Sequence, residues 1–478
     1  MLNANAVAGK EAYFVHSGIV VYLLLCVWIV FNYDGTGDSG DSVLHFQYAQ
    51  FAFEHPDNFF SHWAKPLFTL FAAPFAQFGF VGIKLFNVLN NVLSLYLVYR
   101  IATRIKLPLA WLAPLLLATC TLYFTLTFSG LTEHFSALIL LISISLYIEQ
   151  KFIWAAIILS FLPFVRSEGM LFIGVMAGFM LLDKLWKYIP LLGLGHLVYA
   201  LAGAAYYNGD VFWVFNKIPY AALSAYGKGD WFHFVEQLYY AAGLPQYILG
   251  LLGIFGVLGL FVIPKLSNNY SNPTRWAMLL ILACFGALVG AHTAFWALGI
   301  FNSFGITRVL NTVMPEFALL GCFGLGLLCS GFKNAKFYPV LVAVFALLIS
   351  IMPFSNNPAA IAFPRYFVKN QEQQLVAEVD KFIKEQYPHA IVYYTHPSVG
   401  YYMDLDPFDT TKTRPLAGIS TVEKLPENSI LVWDSWFSVI QDGLGVENLQ
   451  NDPRLLHLKT IESKNPPFTY AIFKLKSD

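Results

Sequence analysis

The stretch Asp34–Lys65, DGTGDSGDSVLHFQYAQFAFEHPDNFFSHWAK, decides how the rest of the chain is read. It follows an apolar run over residues 16–31 and carries Asp34, Asp38, Asp41, Glu54 and Asp57 against a single lysine, Lys65. A charged side chain at the centre of a bilayer costs roughly 2.5–3.5 kcal/mol on insertion scales, so this cluster belongs in water at a membrane surface. The segment reads as an acidic mouth over an apolar body.

Composition supports that body. Hydrophobic residues make up 57% of the chain, charged residues only 12%, and the mean hydropathy is +0.58. A soluble globular domain carries about 25% charged residues, so this is a polytopic membrane protein. The net charge is zero, which gives no argument for a nucleic-acid partner. Cys26, Cys120, Cys284, Cys322 and Cys329 all fall in apolar runs without CxxC or Cys/His metal spacing, and they read as packing residues. The first apolar run has no small-residue cleavage pattern behind it and reads as a retained span.

Apolar runs of the length needed to cross about 30 Å of hydrocarbon recur from residue 16 to residue 354. They predict about eleven spans, near residues 16–32, 82–103, 109–129, 131–149, 152–165, 168–184, 188–206, 243–264, 276–299, 307–330 and 337–354. The segment 66–80, PLFTLFAAPFAQFGF, is short, holds Pro66 and Pro74, and admits two readings. If it crosses, Arg100, Arg104 and Lys106 share a side with the acidic mouth. If it lies in the interface, they share a side with Lys10, Lys151, Lys184, Lys187, Lys265, Arg275, Lys333 and Lys336. The second reading makes one set of short loops basic throughout, and by the positive-inside rule that set is cytoplasmic.

That choice gathers the remaining polar groups at the outer ends of spans: Glu133 in SGLTEHFSA, Arg166 and Glu168 in FVRSEGM, and Arg308 in FGITRVLNTVMP. The connection 207–242, with Trp213, Trp231 and several tyrosines, falls outside too and reads as an aromatic interface layer. Domain boundaries follow. Residues 1–359 form the membrane domain, with the acidic outer loop 33–65 and the interfacial segment 66–80. Residues 360–478 carry charges of both signs. Helical spacing over Leu375, Val376, Val379, Phe382 and Ile383 and β-rich runs at Ala390–Tyr394, Ile430–Trp433 and Tyr470–Leu475 predict a soluble extracytoplasmic α/β domain.

Several of these residues suit chemistry. The tandem triplets Gly37-Asp38-Ser39 and Gly40-Asp41-Ser42 combine tight turns with carboxylates that could accept a proton from a hydroxyl or amine; ordinary Asx turns are the alternative. His45, four residues after Asp41, shares its face on a helix and could orient the carboxylate or bind a metal. Lys65, Arg166 and Arg308 suit a lipid-linked phosphate at the headgroup plane; structural ion pairs with Glu133 or Glu168 are the alternative. His396-Pro397 and Asp404–Asp409 read as turn residues.

The order of these motifs resembles the C-type glycosyltransferase superfamily, in its bacterial dolichyl-phosphate-mannose and aminoarabinose-transferase-like branch. The resemblance rests on the GDS acidic loop, HWAKPLF, RSEG and TRVLNTVMP, and it covers most of residues 16–354. It implies an enzyme of the bacterial cytoplasmic membrane that moves a sugar from a polyprenyl phosphate to a protein, lipid or glycan on the outer face. Asp41 takes the base position, with Asp38 as its rival. Lys65, Arg166 and Arg308 become phosphate or pyrophosphate contacts by analogy, and His45, Glu133 and Glu168 stand beside them as candidate substrate-binding residues. The family's second acidic motif has no clear counterpart beyond Glu133, so dependence on a divalent metal stays open. A flippase of lipid-linked sugars and a non-catalytic envelope scaffold are the readings from other classes.

Overall fold

The computed structural model describes residues 2–219, 222–362, 367–419 and 425–476. Helix α1 (Leu2–Asn32) is followed by the short helices α2 (Asp41–Gln50) and α3 (Pro66–Ala76) before α4 (Gly79–Arg104) runs back along it. The antiparallel sense is fixed at both ends. The His16 ring lies 6.0 Å from both Tyr96 and Tyr99, and the Lys84 ammonium donates to the Tyr33 carbonyl at 3.0 Å. At 1.5 Å per residue α3 is only about 16 Å long. It packs against α4 through Phe68, Phe75 and Phe86, with ring centroids 5.3–5.7 Å apart. Residues 66–80 therefore leave the acidic loop and the start of α4 at one end of the bundle.

The expected span over 109–129 is not one helix. It is α5 (Ala113–Ala118) and α6 (Thr121–Leu126), broken at Thr119 and Cys120. The Thr119 hydroxyl bonds back to the Leu115 carbonyl at 2.7 Å, and Gln246 donates to the Thr119 carbonyl at 3.0 Å, so the backbone freed by the break is paired. The membrane part continues with α7 (Glu133–Ile148), α8 (Phe152–Ser160), α9 (Gly169–Leu182), α10 (Leu194–Ala204), α11 (Trp213–Asn216) and α12 (His233–Ala242). It closes with α13 (Leu244–Val262), α14 (Pro264–Ser267), α15 (Asn272–Leu298), α16 (Met314–Ser330) and α17 (Tyr338–Ile351).

Among the described residues five segments are long and apolar enough to cross a membrane: Lys10–Asn32, Gly79–Arg104, Leu244–Val262, Asn272–Leu298 and Thr307–Ser330. Five more apolar helices are shorter. The fold is a polytopic helical one, and among the described residues five of the eleven predicted runs form single helices of full spanning length. Pro163 and Pro190 sit in 3₁₀ turns that interrupt or delay helices, and Thr119 marks the break described above. Trp213 also departs from expectation. It is fully buried, stacks on Tyr207 at 4.9 Å and donates to the Tyr199 carbonyl at 3.0 Å, so it belongs to the core, whereas Trp231 is exposed.

The tail is a five-stranded mixed sheet with helices. Helix α18 (Gln371–Gln386) starts at a capping box between Asn370 and Gln373. The strands are β1 (Ile391–Tyr394), β2 (Thr413–Pro415), β3 (Ser429–Asp434), β4 (Leu455–Lys464) and β5 (Pro467–Leu475), with α19 (Pro397–Tyr402) after β1. Their order is β2-β1-β3-β5-β4, with β1 parallel to β2 and β3 and the last two pairings antiparallel. One face packs on Leu375, Val376, Val379 and Ile383 of α18, the positions that the helical spacing picked out.

The tail is locked to the acidic loop. Gly35 N–H donates to the Phe367 carbonyl at 2.8 Å, and the Phe367 ring inserts among Cys26, Val30, Val88, Phe124 and Phe128. Gln373 donates to the Thr36 hydroxyl at 2.6 Å, Ser398 to the Ser39 carbonyl at 2.9 Å, and His55 meets Asp406 at 2.7 Å. His396 is buried; its Nδ1 accepts from Ser398 N–H at the start of α19, and its Nε2 lies 3.4 Å from Glu372.

Candidate active site

The acidic loop is shaped by its two triplets. Gly37 sits at φ +82°, and a Cβ there would come within 2.5 Å of the Ser129 Cβ, so neither its conformation nor its space admits a side chain. Asp38 Oδ1 then accepts the backbone N–H of Gly40 and of Ser42, each at 2.9 Å, which turns the chain into α2. The serines tie the turn on both sides. Ser39 donates to Glu372 of the tail, and the Ser42 hydroxyl donates to the Thr36 carbonyl while accepting from Gly130 N–H at 2.7 Å. The 129–131 turn is held in its own right by Asn87, which donates to the Ser129 and Leu131 carbonyls at 2.8 and 2.9 Å.

What this leaves pointing inward is charge. Arg308, at the start of the Thr307–Ser330 segment, bonds both Asp38 and Asp41, and its Nε lies 3.6 Å from Glu133. Arg166 lies 2.7 Å from Glu133 as an ion pair and bonds Glu168 at 2.8 Å, and His292 lies 3.3 Å from Glu168. Glu133 is 1% exposed at its side chain and is bracketed by the two guanidinium groups. The alternating chain from the Asp38/Asp41 pair through Arg308, Glu133 and Arg166 to Glu168 is therefore a single network. Arg166 and Arg308 are both engaged by carboxylates.

The network lines a cavity of about 840 Å³. Asp38, Asp41, His45, Lys65, Glu133, Arg166, Glu168 and Arg308, the residues singled out by type and sidedness, all lie on its wall. Met170, Leu171, Ile218, Phe295 and Phe301 make an apolar side to it. Lys65 caps the start of α3 in the left-handed region at φ +61°, with its ammonium 5.9 Å from the Trp63 ring centroid.

The two aspartates differ. Burial lifts the Asp38 carboxyl above its ordinary range against the pull of Arg308, with the neighbouring Asp41 charge adding to the rise. Burial also acts upward on Asp41, but Arg308, through its charge and its hydrogen bond, and Lys65 outweigh it and hold that carboxyl below the usual range. Asp38 uses one oxygen for two backbone donors and the other for Arg308, whereas Asp41 engages Arg308 through one oxygen; both carboxylates are about one-third exposed on the cavity wall. His45 is pushed down to about 3 by burial, against Asp41, with Lys65, Arg308 and Arg166 adding to the fall. It is a neutral imidazole whose Nδ1 makes no hydrogen bond among the described residues.

Sequence reading missed several contributors to the wall, among them one histidine and three residues of the tail. His292 comes from the last third of the apolar helix α15, where a single histidine carries no pattern. Glu372, Trp436 and Phe437 come from the tail, and Glu372 touches Ser39 across 333 positions. The nearest sequence signal was the capping position of α18. Five carboxylates (Asp38, Asp41, Glu133, Glu168, Glu372) face three cations there (Lys65, Arg166, Arg308).

On this wall the Asp38 and Asp41 carboxylates pair with Arg308, and Glu133 lies between Arg166 and Arg308 with neither of its oxygens accepting a hydrogen bond among the described residues. Among the described residues the one His/Cys/Asp/Glu group with ligand atoms within 4.8 Å of one another is Glu54, His55 and Asp406, at the contact between loop and tail.

No protein-family model and no curated protein matches the chain. Solved structures do. ArnT from Cupriavidus metallidurans bound to undecaprenyl phosphate superposes with a TM-score of 0.59 at 11% identity, covering 97% of this chain and 98% of that one. Its apo state gives 0.60 at 12%, with 98% of each chain covered. The Archaeoglobus fulgidus oligosaccharyltransferase, tethered to an acceptor peptide with the NVT sequon, gives 0.56 at 12%, covering 88% of this chain and 69% of that one. Over nearly its whole length, membrane bundle and tail together, the chain has the fold of the C-type membrane glycosyltransferases to which ArnT and the oligosaccharyltransferase belong.

Proposed function

We propose that this protein transfers a glycosyl group from a polyprenyl-phosphate donor to a protein, lipid or glycan acceptor at the outer face of the bacterial cytoplasmic membrane. The observation that carries the reading is the convergence of Asp38, Asp41, Glu133, Arg166, Glu168 and Arg308 on one cavity with an apolar side. A donor of this class needs both surfaces: cations for its phosphate and an apolar wall for the first isoprene units. The comparison with ArnT bound to undecaprenyl phosphate supports the same class of ligand.

In the reaction the donor phosphate takes hydrogen bonds from Arg308 and Arg166. Drawing the Arg308 guanidinium toward phosphate loosens its grip on Asp41, whose proton affinity then rises. Asp41 accepts the proton of the acceptor hydroxyl or amine as that atom bonds to the anomeric carbon. The bond from that carbon to the phosphate oxygen breaks, and its electron pair leaves with polyprenyl phosphate. The protein supplies position, base and charge compensation; the donor is already activated.

Transfer is tested with the full chain in proteoliposomes holding a radiolabelled polyprenyl-phosphate sugar and extracytoplasmic acceptors. The expected result is a new labelled glycoside with stoichiometric release of polyprenyl phosphate. Donor that crosses the bilayer intact, with no glycoside formed, would establish the flippase reading instead.

Orientation has its own test. Arg100, Arg104 and Lys151 line one end of the bundle beside Glu11 and His16, opposite the acidic loop, and the positive-inside rule supports a cytoplasmic location for that end. All five native cysteines are buried, so single cysteines introduced at the exposed Lys106 and Glu447 report cleanly. The Lys106 position is expected to react with impermeant maleimide only in inverted vesicles, and the Glu447 position only in intact spheroplasts. The opposite pattern would turn the molecule over.

A further inference from the structure

At the end of the bundle opposite the candidate active site lies a second cavity, of about 720 Å³, between α1, α4 and the α7–α8 turn. Its charged wall is built from Arg100 and Arg104 of α4, with Glu149 and Lys151 of the turn. Glu149 is shared: Arg100 bonds one oxygen and Lys151 the other, the latter at 2.7 Å. That carboxylate is thus spent on two cations. Arg104, exposed in the last turn of α4, pairs with no carboxylate among the described residues. With Glu11 as the one further acid, three cations face two carboxylates, a surplus of the sign opposite to that of the first cavity.

The rest of the wall is amphipathic. The His16 ring lies 6.0 Å from Tyr96 and from Tyr99, a ring cluster of the kind that settles at headgroup depth. Below it Leu89, Leu93 and Tyr96 form one exposed stripe on α4 at helical spacing, and Val20 and Leu24 are exposed on α1 beside them. Only 22% of the most apolar window of α1 is buried within the protein. The groove therefore offers phosphate chemistry at its mouth and hydrocarbon along its length.

We propose that this groove binds an anionic phospholipid of the inner leaflet. Its phosphate is held by Arg104 and the outer N–H groups of Arg100, and its acyl chains lie along Leu93 and Leu89. A free phosphate would satisfy the mouth alone; the apolar stripe selects a lipid. The consequence for the fold is direct. Helix α1 leads into Asp34–Asp41, so a lipid wedged between α1 and α4 braces the helix that carries the acidic loop. The proposal does not depend on the transferase reading.

The test uses delipidated full-length protein in detergent and follows Tm and lipid binding by native mass spectrometry. Dioleoyl phosphatidylglycerol is expected to raise Tm and to bind in preference to dioleoyl phosphatidylcholine, whereas sn-glycerol 3-phosphate at the same concentration leaves Tm unmoved. Arg104→Gln is expected to weaken phosphatidylglycerol binding about fivefold, from a loss of about 1 kcal/mol per cation near an anionic surface. Arg104→Lys is expected to retain most of the binding. Because Arg104 is exposed and unpaired, the glutamine variant keeps the fold, which an unchanged Tm without lipid will verify. Equal responses to both lipids, an unchanged affinity in Arg104→Gln, or a full response to sn-glycerol 3-phosphate would each overturn the proposal.

Discussion

Replacing Arg308 with glutamine is expected to destabilise the protein by about 3 kcal/mol, read as a lowered midpoint in detergent-titrated unfolding. The substitution leaves Asp38 and Asp41 facing each other with their shared counter-charge gone, while Glu133 keeps Arg166. Removing one partner of a buried pair typically costs about 3–5 kcal/mol, and the lower end applies because the two aspartates are 31% and 36% exposed and can recruit water. Donor affinity is expected to fall with it by roughly 10- to 100-fold, the worth of a charge-assisted hydrogen bond to phosphate. Arg308→Lys separates the two effects. It restores charge, and so most of the stability, but a single ammonium cannot span two carboxylates and a phosphate as the guanidinium fork does. A lysine variant with wild-type donor affinity would remove Arg308 from the phosphate site.

The second large effect concerns Asp41. Asp41→Asn keeps an oxygen to accept from Arg308 and keeps the start of α2, so the fold and the donor KM are expected to change little. Transfer is expected to slow by about 10²–10⁴-fold, the usual contribution of a general base. Asp38→Asn provides the contrast. Asp38 holds the turn through Gly40 and Ser42 N–H, and the asparagine side chain can accept the same two bonds. Its expected cost is a modest fall in kcat with the loop still in place. Should Asp38→Asn abolish transfer while Asp41→Asn leaves it near wild type, the base is Asp38. If both variants retain full kcat, neither carboxylate is the base.

Much of this architecture could be read from residue order. Hydrophobic run length marked the helical membrane body, charge mixing after residue 354 marked the tail, and the distribution of lysine and arginine over short loops placed Glu133, Arg166, Glu168 and Arg308 at the same end as Asp38 and Asp41. These are local properties: each depends on a window of about twenty residues and on the price of a charge in hydrocarbon. Helix breaks were harder. Nothing in the run around Thr119 announces that its hydroxyl and a glutamine 127 positions away will pair the freed backbone, so an apparent span became two short helices.

Partnership was not legible at all. Arg308 reaches Asp38 across 270 positions, and Glu372 reaches Ser39 across 333. No periodicity encodes which carboxylate a guanidinium will choose; that follows from how α2, α7, α9 and α16 pack and from the tail settling on the acidic loop. Residue types and their sidedness are written along the chain because the bilayer imposes them one segment at a time. The ion-pair network, the neutral His45, the entry of His292 and the tail into the cavity, and the surplus of positive charge around Arg104 arise from packing between segments, and they exist only once the chain has closed on itself.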